Sequence, residues 1–147
     1  MKRALLIGLL AVVSLCTRAQ IAQVWVGMPD SLCPYLNIQQ RKMLLDNALK
    51  GIFDSIPNQL GGSSQIEAVD KANNSIRVRL TRSLTMQLSL QVDTLQLENT
   101  TIRLEQTLCA PICSTLIRQY SLSWVLQDET RSLWDAEQSD EEKEQLF

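Results

Sequence analysis

The sequence predicts an α+β domain in which an N-terminal helical segment packs on a meandering antiparallel sheet of about four to five strands. Three observations lead to this fold class. Residues 38–50 are mostly strong helix formers with apolar residues at helical spacing, whereas the apolar period changes to two after Gly62. The connections between the alternating segments are short, which favours antiparallel hairpins.

The chain begins with the features of a secretory signal. Lys2 and Arg3 precede a mostly apolar run, and Thr17-Arg18-Ala19 offers small residues at the positions before a cut. Residues 1–19 are therefore predicted to be a signal peptide, with a mature chain that starts at Gln20. Cys16 leaves a lipid-anchored product as the alternative, although Leu15 is unusual before a lipidated cysteine.

The helical part follows the signal. Residues 20–27 alternate apolar and polar side chains and are interpreted as a short strand, and Asp30 or Ser31 is expected to cap a helical turn. Asn37 and Gln40 have the spacing of a capping box at the start of a helix that ends near Gly51. Its buried face is expected to comprise Ile38, Leu45, Ala48, Leu49 and Ile52.

Alternating segments define the sheet. The predicted strands are centred on residues 76–80, 84–90, 102–108 and 114–126, the last being one strand or a bent pair. Such alternation indicates one apolar face and one wet face. The apolar core is expected to contain Ile76, Val78, Leu80, Leu84, Met86, Leu88, Ile102 and Leu104, together with Leu45 and Leu49.

The domain is expected to span residues 20–134 and to be followed by an acidic, disordered tail at 135–147. Loss of the signal removes three positive charges, which takes the formal net charge from −2 to −5. Nucleic acid is therefore an unfavourable partner, because phosphate backbones require clustered Lys and Arg. No segment after the signal is apolar enough to span a membrane, so no transmembrane segment is expected in the mature chain.

The composition speaks against most catalytic chemistry. The chain has no histidine, which removes the usual general base and the commonest metal ligand. No catalytic, cofactor-binding or metal site is predicted, and no cofactor is expected. Five arginines are expected on the wet sheet face and its rim, where they either bind anions or form an ordinary solvated surface: Arg77, Arg79, Arg82, Arg103 and Arg118.

Three cysteines remain after signal removal. Cys109 and Cys113 flank Ala110-Pro111-Ile112, a loop that would place the two thiols opposite each other in a hairpin and permit a disulfide. Three buried free thiols and a redox pair are the alternatives, the latter disfavoured because active dithiols usually have two intervening residues. Cys33 is expected to be a buried free thiol.

Several stretches resemble an exported Bacteroides-type family that is catalogued as a domain of unknown function, family 3256. They are residues 28–32, 34–36, 44–46, 60–62 and 107–111, with Ile117, Tyr120 and Trp124. The resemblance implies an exported domain of one type and supplies no activity or site residue. Exported proteins of such bacteria can carry O-linked glycans on Asp-Ser/Thr-apolar tripeptides, and Ser31, Ser55 and Thr94 stand in that context.

These observations favour a non-catalytic binding or interaction module of the periplasm or the extracellular space, with an unknown protein or envelope partner. A small carboxylate- or thiol-dependent enzyme of the cell envelope is the alternative. A deep pocket with two carboxylates would favour the enzyme, and a surface without one would favour the module.

Overall fold

The first described element is a helix. The computed structural model describes residues 21–93 and 95–134, and residues 21–27 form α1. Ile21, Trp25 and Met28 are all buried. Because they recur at helical spacing, one side of the segment faces the core. The expectation of a strand at residues 20–27 is wrong.

The second helix, α2, runs from Ile38 to Leu49 as expected. The Asn37 side chain accepts from the Gln40 backbone N–H, and the Gln40 side chain accepts from the Asn37 N–H, so the capping box is confirmed. Gly51 ends the helix at φ 81°, with its N–H donating to the Ala48 carbonyl. Before α2, residues Asp30–Leu32 form a 3-10 turn whose cap position is Pro29, so the expected side-chain cap is not formed.

The buried face of α2 is rotated from the expected one. Leu45 and Ala48 are buried as expected, but Leu44 and Arg41 join them. The expected Ile38, Leu49 and Ile52 are 42%, 52% and 44% exposed. This face of α2 packs on the sheet and on α1.

The sheet has seven strands, not four to five. They follow one another in space in the order of the sequence, each antiparallel to the next, so the expected meander is confirmed. A short 3-10 turn, Leu97–Asn99, lies in the longest connection. The strands are β1 (Ile56–Pro57), β2 (Ser63–Asp70), β3 (Ser75–Arg79), β4 (Leu84–Gln91), β5 (Thr101–Cys109), β6 (Cys113–Ser121) and β7 (Leu126–Trp134).

The core lies between the helices and one face of the sheet. Strands β3 to β5 supply most of it, because alternate residues over 76–78, 86–90 and 102–104 are at most 6% exposed. Of the expected core, Leu84 is only partly buried and Leu49 is exposed. The sheet side of the core contains Ile66, Ile76, Val78, Leu80, Met86, Leu88, Leu90, Ile102, Leu104 and Tyr120.

Arg41 ties the N-terminal segments together inside this core. Its side chain is 2% exposed, and its two terminal nitrogens donate to the carbonyl oxygens of Leu36, Val26 and Met28 at 2.9, 3.2 and 2.7 Å. Nη1 also lies 3.0 Å from a carboxylate oxygen of Asp30. Buried cations need such partners, since an unpaired buried charge is costly. Arg41 therefore fixes the path of residues 26–36 against α2.

Candidate functional site: the open face of the sheet

The face of the sheet opposite the helices is covered by none of the described elements. Its side chains belong to the alternate residues of β2 to β7, and we call this surface the open face. The strand register sets them in rows across the sheet. One row contains Arg77, Gln87 and Glu105, each directly opposite the next, and the row beside it contains Arg79, Thr85 and Thr107.

These rows form the floor of an open, polar depression of about 510 Å³. Because neighbouring rows alternate basic, amide, hydroxyl and carboxylate groups, the depression presents donors and acceptors side by side. Its lining residues are Glu67, Arg77, Thr85, Gln87, Glu105 and Thr107.

Ion pairs and hydrogen bonds order this surface. Arg77 donates to the side-chain oxygen of Gln87 at 3.2 Å. Glu67 lies 3.7 Å from Arg79, and the guanidinium of Arg103 is 3.4 Å from a Glu105 oxygen. Both carboxylates of the depression therefore have an arginine within ion-pairing distance, and all four side chains remain partly exposed to water.

A smaller hollow of about 160 Å³ adjoins the first one and shares Arg77 and Gln87 with it. Asp70 closes its far end at the turn between β2 and β3. Hydrogen bonds from the Asn73 side chain and backbone lower the pKa of the Asp70 carboxyl below its ordinary value.

The five arginines expected together divide between two faces and a turn. Arg77, Arg79 and Arg103 lie on the open face. Arg118 lies on the other face, since it is opposite Leu104 in β5, and it donates to Glu129 in β7 at 2.8 Å. Arg82 belongs to the turn between β3 and β4. A single arginine surface is thus wrong, and three of the five residues are brought together.

Cys33, Cys109 and Cys113 do not line the depression, although the register places Cys109 on the open face two residues from Thr107. The sulfurs of Cys109 and Cys113 are 2.01 Å apart at the end of the β5–β6 hairpin, where the two residues are directly opposite. Cys33 is a free, fully buried thiol, and burial raises its pKa above the ordinary value. Because the thiolate is the nucleophile, this environment does not activate Cys33.

The tripeptides that could carry O-linked glycans are in separate places. Ser31 and Ser55 are exposed, the first in the 3-10 turn before α2 and the second just before β1. Thr94 lies outside the described residues, as do the signal peptide at 1–19 and the acidic tail at 135–147. Glycosylation at all three positions stays a prediction.

Trp25 and Trp124 pack against other residues of the domain. Trp25 is fully buried and donates from its indole nitrogen to the Arg41 carbonyl at 2.9 Å. Trp124 packs on Tyr120 with ring centroids 5.4 Å apart.

Residues 21–93 and 95–134 contain no group of three or more His, Cys, Asp or Glu side chains that could hold a metal ion. No helix in this part of the chain reaches the length and hydropathy needed to cross a membrane.

The fold and the site of the described residues define a class: an α+β fold with two helices on one face of a seven-stranded meander and a polar surface on the other. The chain matches the family described as Protein of unknown function (DUF3256) over residues 13–142. It therefore belongs to that family, which confirms the resemblance seen in the stretches between residue 28 and Trp124.

A solved relative shares this fold. It is a domain of an uncharacterized protein from Porphyromonas gingivalis W83, similar at 16% identity with a TM-score of 0.59. The match covers 74% of this chain and 55% of that one, so the chain spans about half the length of the solved structure it matches. No match is found among curated proteins. At this identity, the likeness extends to the fold alone.

Proposed function

We propose that this protein is an exported, non-catalytic binding module that engages a partner through the open face of its sheet. The observation that carries the proposal is the polar depression around Arg77 and Glu105. One face of the sheet is covered by helices, whereas the other presents a set of hydrogen-bonding groups held in register by β2 to β5. Arginine is enriched at protein–protein interfaces, which typically contain several direct hydrogen bonds.

The chemistry of the depression supports binding over catalysis. Arginines lie beside both of its carboxylates, so Glu67 and Glu105 are arranged as ion pairs and not as an acid and base flanking a free space. Guanidinium groups bind carboxylates through two parallel hydrogen bonds, and threonine and glutamine side chains offer both donors and acceptors. A partner with acidic and amide or hydroxyl groups fits this surface best.

Export is part of the proposal and rests on the sequence of residues 1–19. The basic start, the short apolar run and the small residues before Gln20 support a secreted or periplasmic location. An oxidising compartment would also allow the Cys109–Cys113 pair to persist as a disulfide.

Affinity capture from the native cell envelope tests the binding role. The protein and an Arg77→Glu variant are immobilised in parallel, with Lys42→Glu as the matched control, because Lys42 is exposed on α2, on the helix side of the sheet. Both variants replace an exposed cation by a carboxylate. We expect a partner that is retained by the protein and by Lys42→Glu and lost by Arg77→Glu. A partner retained equally by all three would exclude the open face as the binding surface.

A further inference from the structure

Among the described strands, β7 lies at one end of the sheet and has a long unpaired edge. It comprises Leu126–Trp134 and pairs only with β6 in the described chain. Every residue from Leu126 to Ser132 is exposed, on both faces of the sheet. The outer backbone N–H and C=O groups of such a strand form a template for another strand.

The opposite edge of the sheet is short and irregular. There, β1 has only two residues and one of them is Pro57, which has no backbone N–H to donate. Strand β1 covers only Ser63 and Ser64 of β2, and a bulge between Ile66 and Ala68 makes the rest of that edge irregular, which disfavours strand addition. Strand addition to the described sheet is therefore favoured at β7.

The charges of β7 are self-complementary. The strand contains Asp128, Glu129 and Arg131, with Thr130 between the last two. When two such strands run antiparallel with Thr130 opposite Thr130, each Glu129 lies opposite the Arg131 of the other strand. Opposite charges in directly facing positions stabilise a sheet, and like charges in those positions destabilise it.

We propose that β7 pairs with β7 of a second copy of this chain, antiparallel about a two-fold axis at Thr130, so that one sheet continues through both copies. Isologous pairing of this kind closes after two copies and leaves no free long edge. The row that begins with Arg118 and Glu129, which lie 2.8 Å apart, then continues into Arg131 of the second copy.

The charges also select the register. The helices of both copies lie on the same side of the joined sheet only when the two-fold axis passes between a residue and its own counterpart. A shift by one residue would turn one copy over, because successive side chains of a strand point to opposite faces. An axis at Glu129 would set the two Glu129 carboxylates against each other, and an axis at Arg131 would do the same with the two guanidinium groups. Thr130 is the neighbouring centre that avoids both repulsions and keeps the helices of the two copies on one side.

Cysteine cross-linking tests this register. Thr130 points to the open face, since it is opposite Ile117, and its counterpart in the second copy would have its Cβ about 4.5–5.5 Å away. Under mild oxidation we expect Thr130→Cys to form a covalent dimer. Ser132→Cys is the matched control on the same face, because the two Ser132 positions would be separated by about 13 Å along the strands. The unsubstituted protein controls for its own cysteines.

Dimerisation of Thr130→Cys with Ser132→Cys remaining monomeric supports the proposal. Cross-linking of both variants, of neither, or of Ser132→Cys alone overturns it. Retention of the captured partner by Arg77→Glu, which would exclude the proposed function, would not alter this result, so failure of the proposed function and failure of the dimer can be told apart.

Sedimentation velocity over a concentration series gives a second, non-covalent measurement. Arg131→Glu replaces two attractive contacts per dimer by repulsions, and we expect the dissociation constant to rise about tenfold or more. Gln127→Glu is the control, because it adds negative charge to β7 opposite the uncharged Leu133. Added salt should weaken the dimer of the unchanged protein and strengthen that of Arg131→Glu. A protein that stays monomeric throughout, or an Arg131→Glu dimer of unchanged affinity, overturns the proposal.

Discussion

Replacing Leu88 by alanine tests the packing of the sheet core. Leu88 is fully buried in β4, and it lies directly between Ile76 of β3 and Leu104 of β5, which are 0% and 1% exposed. Two flanking strands hold the backbone in place, so the site cannot collapse around the missing atoms. The cost is therefore expected in the upper part of the usual range, at about 3–5 kcal/mol.

Urea unfolding followed by circular dichroism measures this cost. With a typical slope of about 1–3 kcal/mol per molar urea, the midpoint should fall by about 1 M or more. Leu108→Ala is the matched control, because Leu108 lies in the neighbouring strand β5 but is 48% exposed, and its loss should cost less than about 1 kcal/mol. A Leu88→Ala variant that loses less than about 1 kcal/mol would show that the strand register, and with it the assignment of the two sheet faces, is incorrect.

Three further outcomes are expected. Arg41→Met should lower the free energy of unfolding by about 3 kcal/mol or more, because three carbonyl oxygens lose their buried donor; a loss below about 1 kcal/mol in the same urea assay would contradict that role. Thiol alkylation of the unfolded, unreduced protein should label Cys33 alone, and label on Cys109 or Cys113 would mean that the hairpin is not bridged. Intact-mass analysis of the native protein should give a chain that starts at Gln20. A lipidated chain that starts at Cys16 would show a membrane-anchored product instead.

Regular apolar alternation made the central sheet predictable. In β3 and β4, every second residue from Ile76 to Leu80 and from Met86 to Leu90 is buried, so period and environment agree. Helix α2 was predictable for a related reason. The side chains of Asn37 and Gln40 cap its first turn locally, whatever the rest of the fold does.

The outer strands carry no such signal. In β2, a bulge between Ile66 and Ala68 breaks the alternation, and the buried position at Ser64 holds a hydroxyl that donates to the Leu80 carbonyl at 2.8 Å. Strand β7 has no buried residue among Leu126 to Ser132, so an apolar pattern could not mark it. Pairing with β6 defines that strand.

The incorrect prediction of a strand at residues 20–27 has a different cause. Residues 20–27 contain alternation through Val24 and Val26 and also the helical spacing of Ile21, Trp25 and Met28. Ile21, Trp25 and Met28 are buried, whereas Val24 and Val26 are only partly buried. Tertiary packing therefore favours the helical period over the alternating one. Arg41 was missed because arginine is rarely buried, and only the surrounding carbonyl oxygens make its position favourable.

The open face was anticipated as a surface but not as a site. Alternation placed Arg77, Arg79 and Arg103 on the wet side of the sheet. Which carboxylate meets which arginine depends on the register between strands, and β2, which supplies Glu67, was not predicted. The depression could therefore be recognised only from the structure.

The sequential strand order also determines how this chain folds. Each strand from β2 onward finds its partner in the segment that has just preceded it, so the hairpins close over short loops at small entropic cost. Trp25 and Met28 belong instead to a cluster with Leu88 and Leu104, which come much later in the chain. We therefore expect a transition state in which β3 to β5 are paired while the helices are still undocked, and burial of the Trp25 indole as the last step of folding.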